Sequence, residues 1–366
     1  MSTLKTNALG STDFPYDVLI DGVANLKRVV TSSASAPASP ANGNVWYDTS
    51  ASAFKIYLAD DWYKLAATAV ATGTGSRGVF GGGLNSSDAE VNVMDYITVA
   101  SLGNGTDFGD LLAVNEYLAG FSSGSRGVFG GGRSGGSELN VIQYITIAST
   151  GNATDFGDLD AVRQNLSGAS DTTRGLFFGG GSSSTNVIQY ITIASTGNAT
   201  DFGDLTVGST LNAATAGFFR AINATASTNY TTNVLNYVTI STTGNATDFG
   251  NLTVARYGMA GCSNGTLGLF GGGKQSSGYP TDVIDQISIP TAANATDFGN
   301  LTIELLYASS FSDGTKGVWG GGAYFNGSAF AVVNTIQYVT FSTVGNATDF
   351  GDLTLARDKL AGFSGT

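Results

Sequence analysis

One segment, Thr-Asp-Phe-Gly, recurs six times in this chain of 366 residues, and successive copies are 46 to 52 residues apart. Other features keep the same period: a run that ends in glycines, followed by a segment in which Val, Ile and Tyr alternate with polar residues. A period of this size indicates a repeat architecture in which each unit packs on its neighbours. The aspartates of the six copies are Asp107, Asp155, Asp201, Asp248, Asp297 and Asp349.

Each unit is long enough for four short strands. In the fifth unit these are predicted at 257–263, 267–273, 282–289 and 295–301, separated by turns rich in Gly, Ser and Asn. Alternation with period two is the pattern of a strand, and no long stretch has helical spacing. Four strands in about 50 residues is the size of a propeller blade, so the sequence predicts an all-β protein with a β-propeller of four-stranded blades.

The units resemble kelch-repeat propellers. The likeness lies in a basic residue before a small-residue strand, an apolar run that ends in glycines and an aromatic closing strand. The fifth unit shows these as Arg256, Gly271 and Phe298, and the likeness covers roughly residues 66–366. The units depart from it in having three glycines for the usual two and Phe for the usual Trp, and the fourth unit lacks the glycine run. The resemblance implies the fold and leaves the activity open, because propellers carry many functions.

The two ends of the chain suggest how the ring closes. Residues 360–366 are predicted to form an innermost strand, but no second, third or fourth strand of a blade follows it in the chain. Residues 44–65 are predicted to form three outer strands, but no innermost strand precedes them. Joining them predicts a propeller over 44–366 with seven blades, of which 44–65 and 360–366 share the closing one and six repeats run from about 66 to 359. Such a closure hides the open edges of the sheets. The alternative is six blades with 44–65 as a separate N-terminal hairpin module.

The composition excludes several classes of function. The 16 basic and 28 acidic residues give a net charge of −12, so nucleic acid is not an expected partner. The chain has no histidine, which removes His-based catalysis and most zinc, copper and haem ligation. We therefore expect a protein that is not an enzyme and that uses no metal and no cofactor. No apolar run is long enough to predict a membrane span.

Residues 1–43 differ in kind from the repeats. Residues 32–43 form a small-residue, proline-containing linker, so this part is predicted to be an attachment segment. The span 44–65, the opening MSTLKTNAL and the repeated GNATDFGDL resemble tail and other virion proteins of bacteriophages, in particular marine phages. The resemblance implies a virion location, in the tail or a surface appendage. It also implies contact with other virion proteins through the N-terminal segment. The first residues of the chain lack the apolar core of a signal peptide, so no signal peptide is expected.

Three repeated features invite a ligand and have a simpler interpretation. The Asp of each Thr-Asp-Phe-Gly could form a Ca²⁺ site, but Asp and Asn also stabilise turns, which is the interpretation we favour. The Asn-Ala-Thr copies would be glycosylation acceptors in a secreted eukaryotic chain, and we expect them to serve the same turn. The glycine runs lack the helix and the Lys of a phosphate loop, and close blade packing or a bulge explains them.

Basic residues recur just before the second strand of a unit, at Arg77, Arg126, Arg174 and Lys316. They could line a channel for an anion, but we favour pairing with acids of neighbouring blades. Cys262, the single cysteine, is predicted to be a small buried apolar residue of an innermost strand.

The strongest functional signal is where the units differ. Connections between the second and third strands vary from 4 to 11 residues, whereas those between the third and fourth are nearly uniform. A fixed scaffold with divergent loops on one rim is the arrangement of a binding surface. Aromatic side chains among Ser, Asn and Gly suit adaptable recognition and sugar stacking. The predicted ligand-binding residues are Tyr230, Tyr279, Tyr324, Phe325 and Phe330.

These observations leave three functions. The preferred one is a non-enzymatic virion or tail-associated protein whose propeller adheres to a host-surface glycan or receptor protein. The second is a purely structural or decorating virion protein that contacts other subunits. The third is a carbohydrate-active enzyme with a pair of carboxylates, although no unrepeated acidic pair stands out in the sequence. The ligand, the binding face and the formation of a homo-oligomer stay open.

Overall fold

The computed structural model describes residues 31–33, 35–37, 45–48, 53–58, 61–64, 76–217, 219–226 and 232–365. The chain divides into two units between residues 69 and 70. Every regular element in the described ranges is a strand, which confirms the all-β prediction. Within these ranges no helix is long and apolar enough to cross a membrane.

The N-terminal unit holds a four-stranded sheet of its own. Its first two strands are parallel and the later pairs antiparallel, and all four lie in chain order. Trp46 is buried in this unit, and its indole Nε1 donates a hydrogen bond to the carbonyl oxygen of Ser33 at 3.2 Å. The strands are Thr31–Ser33, Val45–Asp48, Ala53–Leu58 and Asp61–Lys64.

The second unit is a β-propeller of six four-stranded antiparallel sheets, numbered here as blades 1 to 6. Within a blade, strands a to d run from the inside of the ring to its outside, and the a strands of neighbouring blades contact each other all the way round. Strands a to d are Ala361–Gly365, Arg77–Gly81, Val93–Thr98 and Thr106–Asp110 in blade 1; Ala119–Ser122, Arg126–Gly130, Val141–Thr146 and Thr154–Asp158 in blade 2; Ser167–Ser170, Arg174–Phe178, Thr185–Thr192 and Thr200–Ser209 in blade 3. They are Ala213–Ala216, Arg220–Ala224, Val234–Thr239 and Thr247–Asn251 in blade 4; Ala260–Ser263, Leu267–Gly271, Thr281–Ser288 and Thr296–Leu305 in blade 5; Ser309–Ser312, Lys316–Gly320, Thr335–Thr340 and Thr348–Asp352 in blade 6.

Four pairs of short strands accompany the blades. They lie in the connections between strands b and c and, in two cases, pair with the segment that leads into an a strand. The pairs are Leu84–Asn85 with Arg357–Asp358, Arg133–Ser134 with Ser137–Glu138, Arg256–Tyr257 with Lys274–Gln275, and Ala323–Phe325 with Phe330–Val332.

The predicted seven-bladed ring is wrong, because the last strand of the chain completes the first blade. Ala361–Gly365 pairs with Arg77–Gly81, which places Phe363 opposite Val79. The sequence also predicts an innermost strand for the first repeat at about 66–73, a segment that lies outside the described residues. The strands within 44–65 pair with one another and with Thr31–Ser33, so they form no closing blade with 360–366. The alternative of six blades is confirmed, whereas the described strands of 44–65 lie in a four-stranded sheet with Thr31–Ser33 instead of forming a hairpin module by themselves.

The Asn-Ala-Thr-Asp-Phe-Gly segment, which is Asn-Gly-Thr-Asp-Phe-Gly in blade 1, joins each blade to its neighbour. Asn152 Oδ1 of blade 2 accepts the backbone N–H of Asp110 in blade 1 at 3.0 Å, and the N–H of Ala153 donates to the carbonyl of the same Asp110 at 2.8 Å. Gly109 has a φ of +138°, and a side chain there would press on the backbone of Gly151. The same side-chain bond closes all six joints, through Asn104, Asn152, Asn198, Asn245, Asn294 and Asn346.

The glycine runs also serve blade packing, as predicted. A Cβ on Gly81, the first glycine of its run, would come within 2.6 Å of Cζ of Phe129 in the next blade. The following Gly82 and Gly83 have φ values of +68° and +114°, which glycine adopts without strain. In blades 1, 2, 5 and 6 the first glycine of the run therefore makes room for an aromatic ring of the neighbouring blade, and the next two glycines turn the chain out of strand b.

Candidate functional site

The variable connections of the sequence lie together on one face of the propeller. Strands alternate in direction within each blade, so the b–c connections and the segments between blades meet at one end, which we call the b–c face. The a–b and c–d connections, with the uniform asparagine joints, meet at the opposite end, which we call the c–d face. The scaffold is thus regular on one face and irregular on the other.

The centre of the b–c face is a closed ring of backbone hydrogen bonds. Each ring member lies two positions before an a strand and donates its N–H to the carbonyl of the corresponding residue in the adjacent blade, at 2.7–2.9 Å. All six members have φ between +56° and +68°, a region that is costly for residues other than glycine. They are Tyr117, Asn165, Leu211, Gly258, Tyr307 and Lys359.

Side chains of this backbone ring meet across its centre. The rings of Tyr117 and Tyr307 pack edge to face with centroids 5.6 Å apart, and Lys359 Nζ lies 4.7 Å from the centroid of Tyr117. A Cβ on Gly258 would be 2.8 Å from Cδ1 of Tyr307, so only glycine leaves room for that ring. Burial raises the pKa of both tyrosines, which keeps their hydroxyls protonated.

A cavity of about 470 Å³ that is wide open to solvent lies beside the backbone ring, where connections of blades 1 and 2 meet the segment before the closing strand. Its charged lining consists of Asp88, Glu90, Glu116, Arg133 and Lys359, and we call it the charged cavity. Glu116 is only 3% exposed; its Oε2 is 3.1 Å from Lys359 Nζ and its Oε1 is 3.5 Å from Arg133 Nη1. Glu90 Oε2 accepts the N–H of Gly135 at 2.7 Å. Both signs of charge are therefore held close together.

Asp358 adds a buried carboxyl next to the charged cavity. It is 6% exposed, and its Oδ1 has no hydrogen-bond partner among the described residues. Burial raises the pKa of Asp358 to about 7, while the charge of Lys359 lowers it and that of Glu116 raises it by smaller amounts. In the sequence, Glu116, Asp358 and Lys359 are marked only by an unrepeated charge just before an a strand, which does not predict a site.

Replacing Asp358 with asparagine should stabilise the propeller at pH 8 by roughly 1–3 kcal/mol and change little at pH 4. The folded state keeps the proton up to about pH 7, whereas the unfolded chain releases it near the ordinary value of 3.8. The native state therefore binds more protons between these values, so wild-type stability falls as the pH rises through them and is flat above. The neutral amide removes this loss.

Urea unfolding of the wild type and Asp358→Asn at pH 4, 6 and 8 measures the effect, with the exposed Asp155→Asn as control. A stability difference that is the same at all three pH values would show that the carboxyl of Asp358 does not titrate near neutrality.

Three of the five predicted ligand residues come together on the b–c face. Ring centroids of Tyr279 and Phe325 are 4.9 Å apart, and those of Phe325 and Phe330, which pair across a two-stranded hairpin, are 5.5 Å apart. Tyr279 is 51% and Phe330 46% exposed, and Lys274 Nζ is 4.9 Å from the centroid of Phe330. We call Tyr279, Phe325 and Phe330 the aromatic cluster. It spans the b–c connections of blades 5 and 6.

The other two predicted ligand residues do not join this cluster. Tyr324 is partly buried and packs against a core group that includes Trp319, because successive residues of a strand point to opposite sides. Tyr230 lies outside the described residues. The role of all five residues in binding stays a prediction.

The aspartates of Thr-Asp-Phe-Gly lie within the d strands and are exposed, so the turn interpretation is wrong for them. The asparagines of Asn-Ala-Thr likewise act between blades rather than within a turn. In the described part of the chain, no group of three or more Asp, Glu or Cys side chains is placed to hold a metal ion.

The recurring bases bind backbone carbonyls instead of acids, which overturns the predicted pairing. Arg77 Nη1 donates to the carbonyl of Ile147 in the next blade at 2.8 Å, and its guanidinium stacks 4.5 Å from the centroid of Tyr96. Lys316 Nζ donates to the carbonyl of Val99 at 3.1 Å. The accepting carbonyls lie just past the ends of the c strands of the neighbouring blades. Arg126, Arg174 and also Arg220 make the same contact.

Cys262 is buried in strand a of blade 5, as predicted. It faces Gly317 of the next blade, where a Cβ would be 2.9 Å from its Sγ. Burial raises the pKa of the thiol, so the sulfur stays protonated and acts as a small apolar group.

Comparison of the sequence with protein-family models gives no match, and comparison with curated proteins gives none either. The six-bladed propeller therefore rests on the structure. The resemblances to kelch repeats and to phage proteins are supported only by the sequence motifs described above, and by no match to a family or a curated protein.

Proposed function

We propose that this propeller is a non-enzymatic binding module whose b–c face adheres to a glycan or protein on a host-cell surface. The aromatic cluster is the observation that carries the proposal. Two of its three rings are about half exposed, on the face where the connections vary in length. Exposed aromatic rings grouped on one surface favour stacking on sugar rings or contact with a protein partner.

The regular part of the fold supports this proposal by making the face rigid. Six identical asparagine joints fix the blades on one side, and the closed backbone ring fixes them on the other. A preorganised surface loses little conformational entropy when it binds, so even a small cluster can give measurable affinity.

The resemblance of the N-terminal region and the repeats to phage virion proteins in sequence supports a virion location. In this proposal the N-terminal segment attaches the chain to other virion proteins, in a tail or surface appendage. The propeller then presents its b–c face to the host. A kelch-like ancestry of the blades belongs to the same proposal, since it is carried by the sequence resemblance alone.

Binding to a panel of purified bacterial surface polysaccharides, with and without Ca²⁺, tests the proposal. The double variant Tyr279→Ser with Phe330→Ser should weaken binding ten- to a hundredfold, because each stacked ring contributes about 0.5–1.5 kcal/mol. Val344→Ser is the matched control, since Val344 is 63% exposed but belongs to a c–d connection. Binding that the double variant leaves intact would contradict a role for the aromatic cluster. Binding to virion subunits alone would indicate the structural role.

A carbohydrate-active enzyme is a second candidate because the structure brings two unrepeated carboxyls, Glu116 and Asp358, near one cavity. Asp358 has a pKa of about 7, and Glu116 is contacted by two bases. Glycoside cleavage uses a pair of carboxyl groups on either side of the scissile bond. Release of new reducing ends from a bound polysaccharide would favour this candidate over simple adhesion.

A further inference from the structure

We propose that the charged cavity is a second, polar subsite that takes one uncharged sugar unit through its hydroxyl groups. The inference rests on the proposed glycan adhesion and names the part of the ligand that the aromatic cluster does not hold. The charged cavity has a volume of about 470 Å³, which lies within the range of small-molecule sites.

The pattern of charges in the cavity suits hydroxyl groups better than an ion. The carboxyl groups of Asp88, Glu90 and Glu116 offer hydrogen-bond acceptors. The side chains of Arg133 and Lys359 offer hydrogen-bond donors. A sugar hydroxyl both donates and accepts hydrogen bonds, so it can bridge a carboxylate and a base. A cation or an anion of similar size would meet charges of its own sign within the same cavity.

The cavity is held in shape before any ligand arrives. Glu116 is almost fully buried and is fixed from two sides, by Lys359 at 3.1 Å and Arg133 at 3.5 Å. These two bases come from different segments: one precedes the closing strand, and the other begins a hairpin in blade 2. Preorganised polar groups of this kind select a ligand by hydrogen-bond geometry.

Two features leave capacity for a ligand. Nε of Arg133 is buried and has no hydrogen-bond partner among the described residues. In the same hairpin, Gly135 and Gly136 have φ values of +57° and +83°, and a Cβ on either would meet nothing within 4 Å. A ligand can therefore approach the hairpin backbone closely, which a larger side chain would prevent.

A sugar in this cavity would also stabilise the ring closure. Lys359 lies two residues before the strand that completes blade 1, whereas Glu116 and Arg133 belong to the connections into and within blade 2. A ligand that contacts these segments binds only the closed propeller, so it raises the unfolding temperature by mass action.

The test uses the full chain with free glucose, galactose, mannose and N-acetylglucosamine, and with inorganic phosphate and spermine as charged probes. Binding is measured by titration calorimetry and by the shift in unfolding temperature. We expect at least one sugar to bind and to stabilise the wild type. Gly135→Asn, which fills the cavity from a position whose φ asparagine tolerates, and Arg133→Gln should each weaken that binding at least tenfold.

Two control variants make the outcome specific. Gly124→Asn changes a glycine with φ +95° and open space around it, in an a–b turn on the c–d face, and should leave sugar binding unchanged. The double variant of the aromatic cluster should also keep monosaccharide binding. Sugar binding that survives both cavity variants, or stabilisation by phosphate or spermine and by no sugar, would overturn the inference.

The same binding experiments distinguish a failure of this inference from a failure of the proposed function. Polysaccharide binding that depends on the aromatic cluster, with no monosaccharide bound in the cavity, would overturn the cavity and leave the adhesive function standing. Monosaccharide binding in the cavity, with polysaccharide binding indifferent to the aromatic cluster, would support the cavity and overturn the role of the cluster.

Discussion

Replacing Asp285 with glutamine should lower the free energy of unfolding by about 3–5 kcal/mol, because it leaves a buried guanidinium without its counter-charge. Asp285 Oδ2 and Arg256 Nη1 are 3.0 Å apart, and both side chains are fully buried. Burial lowers the pKa of Arg256, and the charge of Asp285 opposes that shift. Glutamine itself fits the site, since blades 2, 3 and 6 carry Gln143, Gln189 and Gln337 at the same position.

Adding Arg256→Leu to Asp285→Gln should restore most of the lost stability. Blade 6 contains this neutral combination naturally, as Gln337 with the buried Leu305. Gln337 Oε1 still accepts the backbone N–H of Thr302 in the preceding blade at 2.6 Å. Asp285 Oδ2 likewise accepts the N–H of Thr253, which follows strand d of blade 4. Neutral replacements of buried ion pairs are often close to neutral in stability.

Urea unfolding of the wild type, both single variants and the double variant gives the coupling free energy of the pair. We expect it to exceed about 2 kcal/mol in favour of the matched combinations. Additive effects of the two substitutions would show that the charges of Arg256 and Asp285 do not depend on each other. The second buried pair, Arg357 with Asp95 at 2.9 Å, should respond in the same way.

Deleting residues 361–366 should abolish cooperative folding of the propeller, whereas deleting residues 1–69 should leave its stability unchanged. The first deletion exposes the edge of Arg77–Gly81 and removes Phe363, whose ring fills the space above Gly127 of blade 2. Removing one buried phenylalanine side chain alone costs about 3–5 kcal/mol. The second deletion removes a unit whose described strands share no sheet with the six blades.

Calorimetric unfolding of the two truncated chains checks this pair of expectations. A seven-bladed ring closed by both termini would give the opposite result for the N-terminal deletion, since 44–65 would then be part of a blade. Addition of a synthetic peptide with the sequence of residues 360–366 should restore cooperative unfolding to the chain that lacks them. Failure of the peptide to bind would contradict the strand position that we assign to it.

The sequence contains enough information for the blade but not for the closure. Repeated alternation fixes which segments are strands, because a period of two puts one side of each strand in the core. Both 66–73 and 360–366 fit the innermost position of blade 1 by that criterion. A more specific indication of the closing strand was present in the sequence. The innermost strand of blade 2 lies within the sequence LAGFS at 118–122, and the same five residues occur at 360–364.

The aromatic cluster was accessible from sequence because its members stand out within variable loops. The charged cavity was not, because its groups become neighbours only when the ring closes. Glu116 and Lys359 lie at opposite ends of the repeat region and approach within 3.1 Å in the folded chain. From the sequence alone, each of these two residues is predicted to be an ordinary surface charge. The asparagine joints were missed for the same reason, since each partner N–H belongs to a different unit.

Hydrogen–deuterium exchange of the full chain, with and without a polysaccharide that it retains from the panel, tests the assigned binding face most directly. Bound polysaccharide should slow exchange in the b–c connections of blades 5 and 6, at 274–281 and 323–333. It should leave the c–d connections unchanged, including 341–347 around the control residue Val344. Slowed exchange confined to the c–d connections would contradict the b–c face as the binding surface.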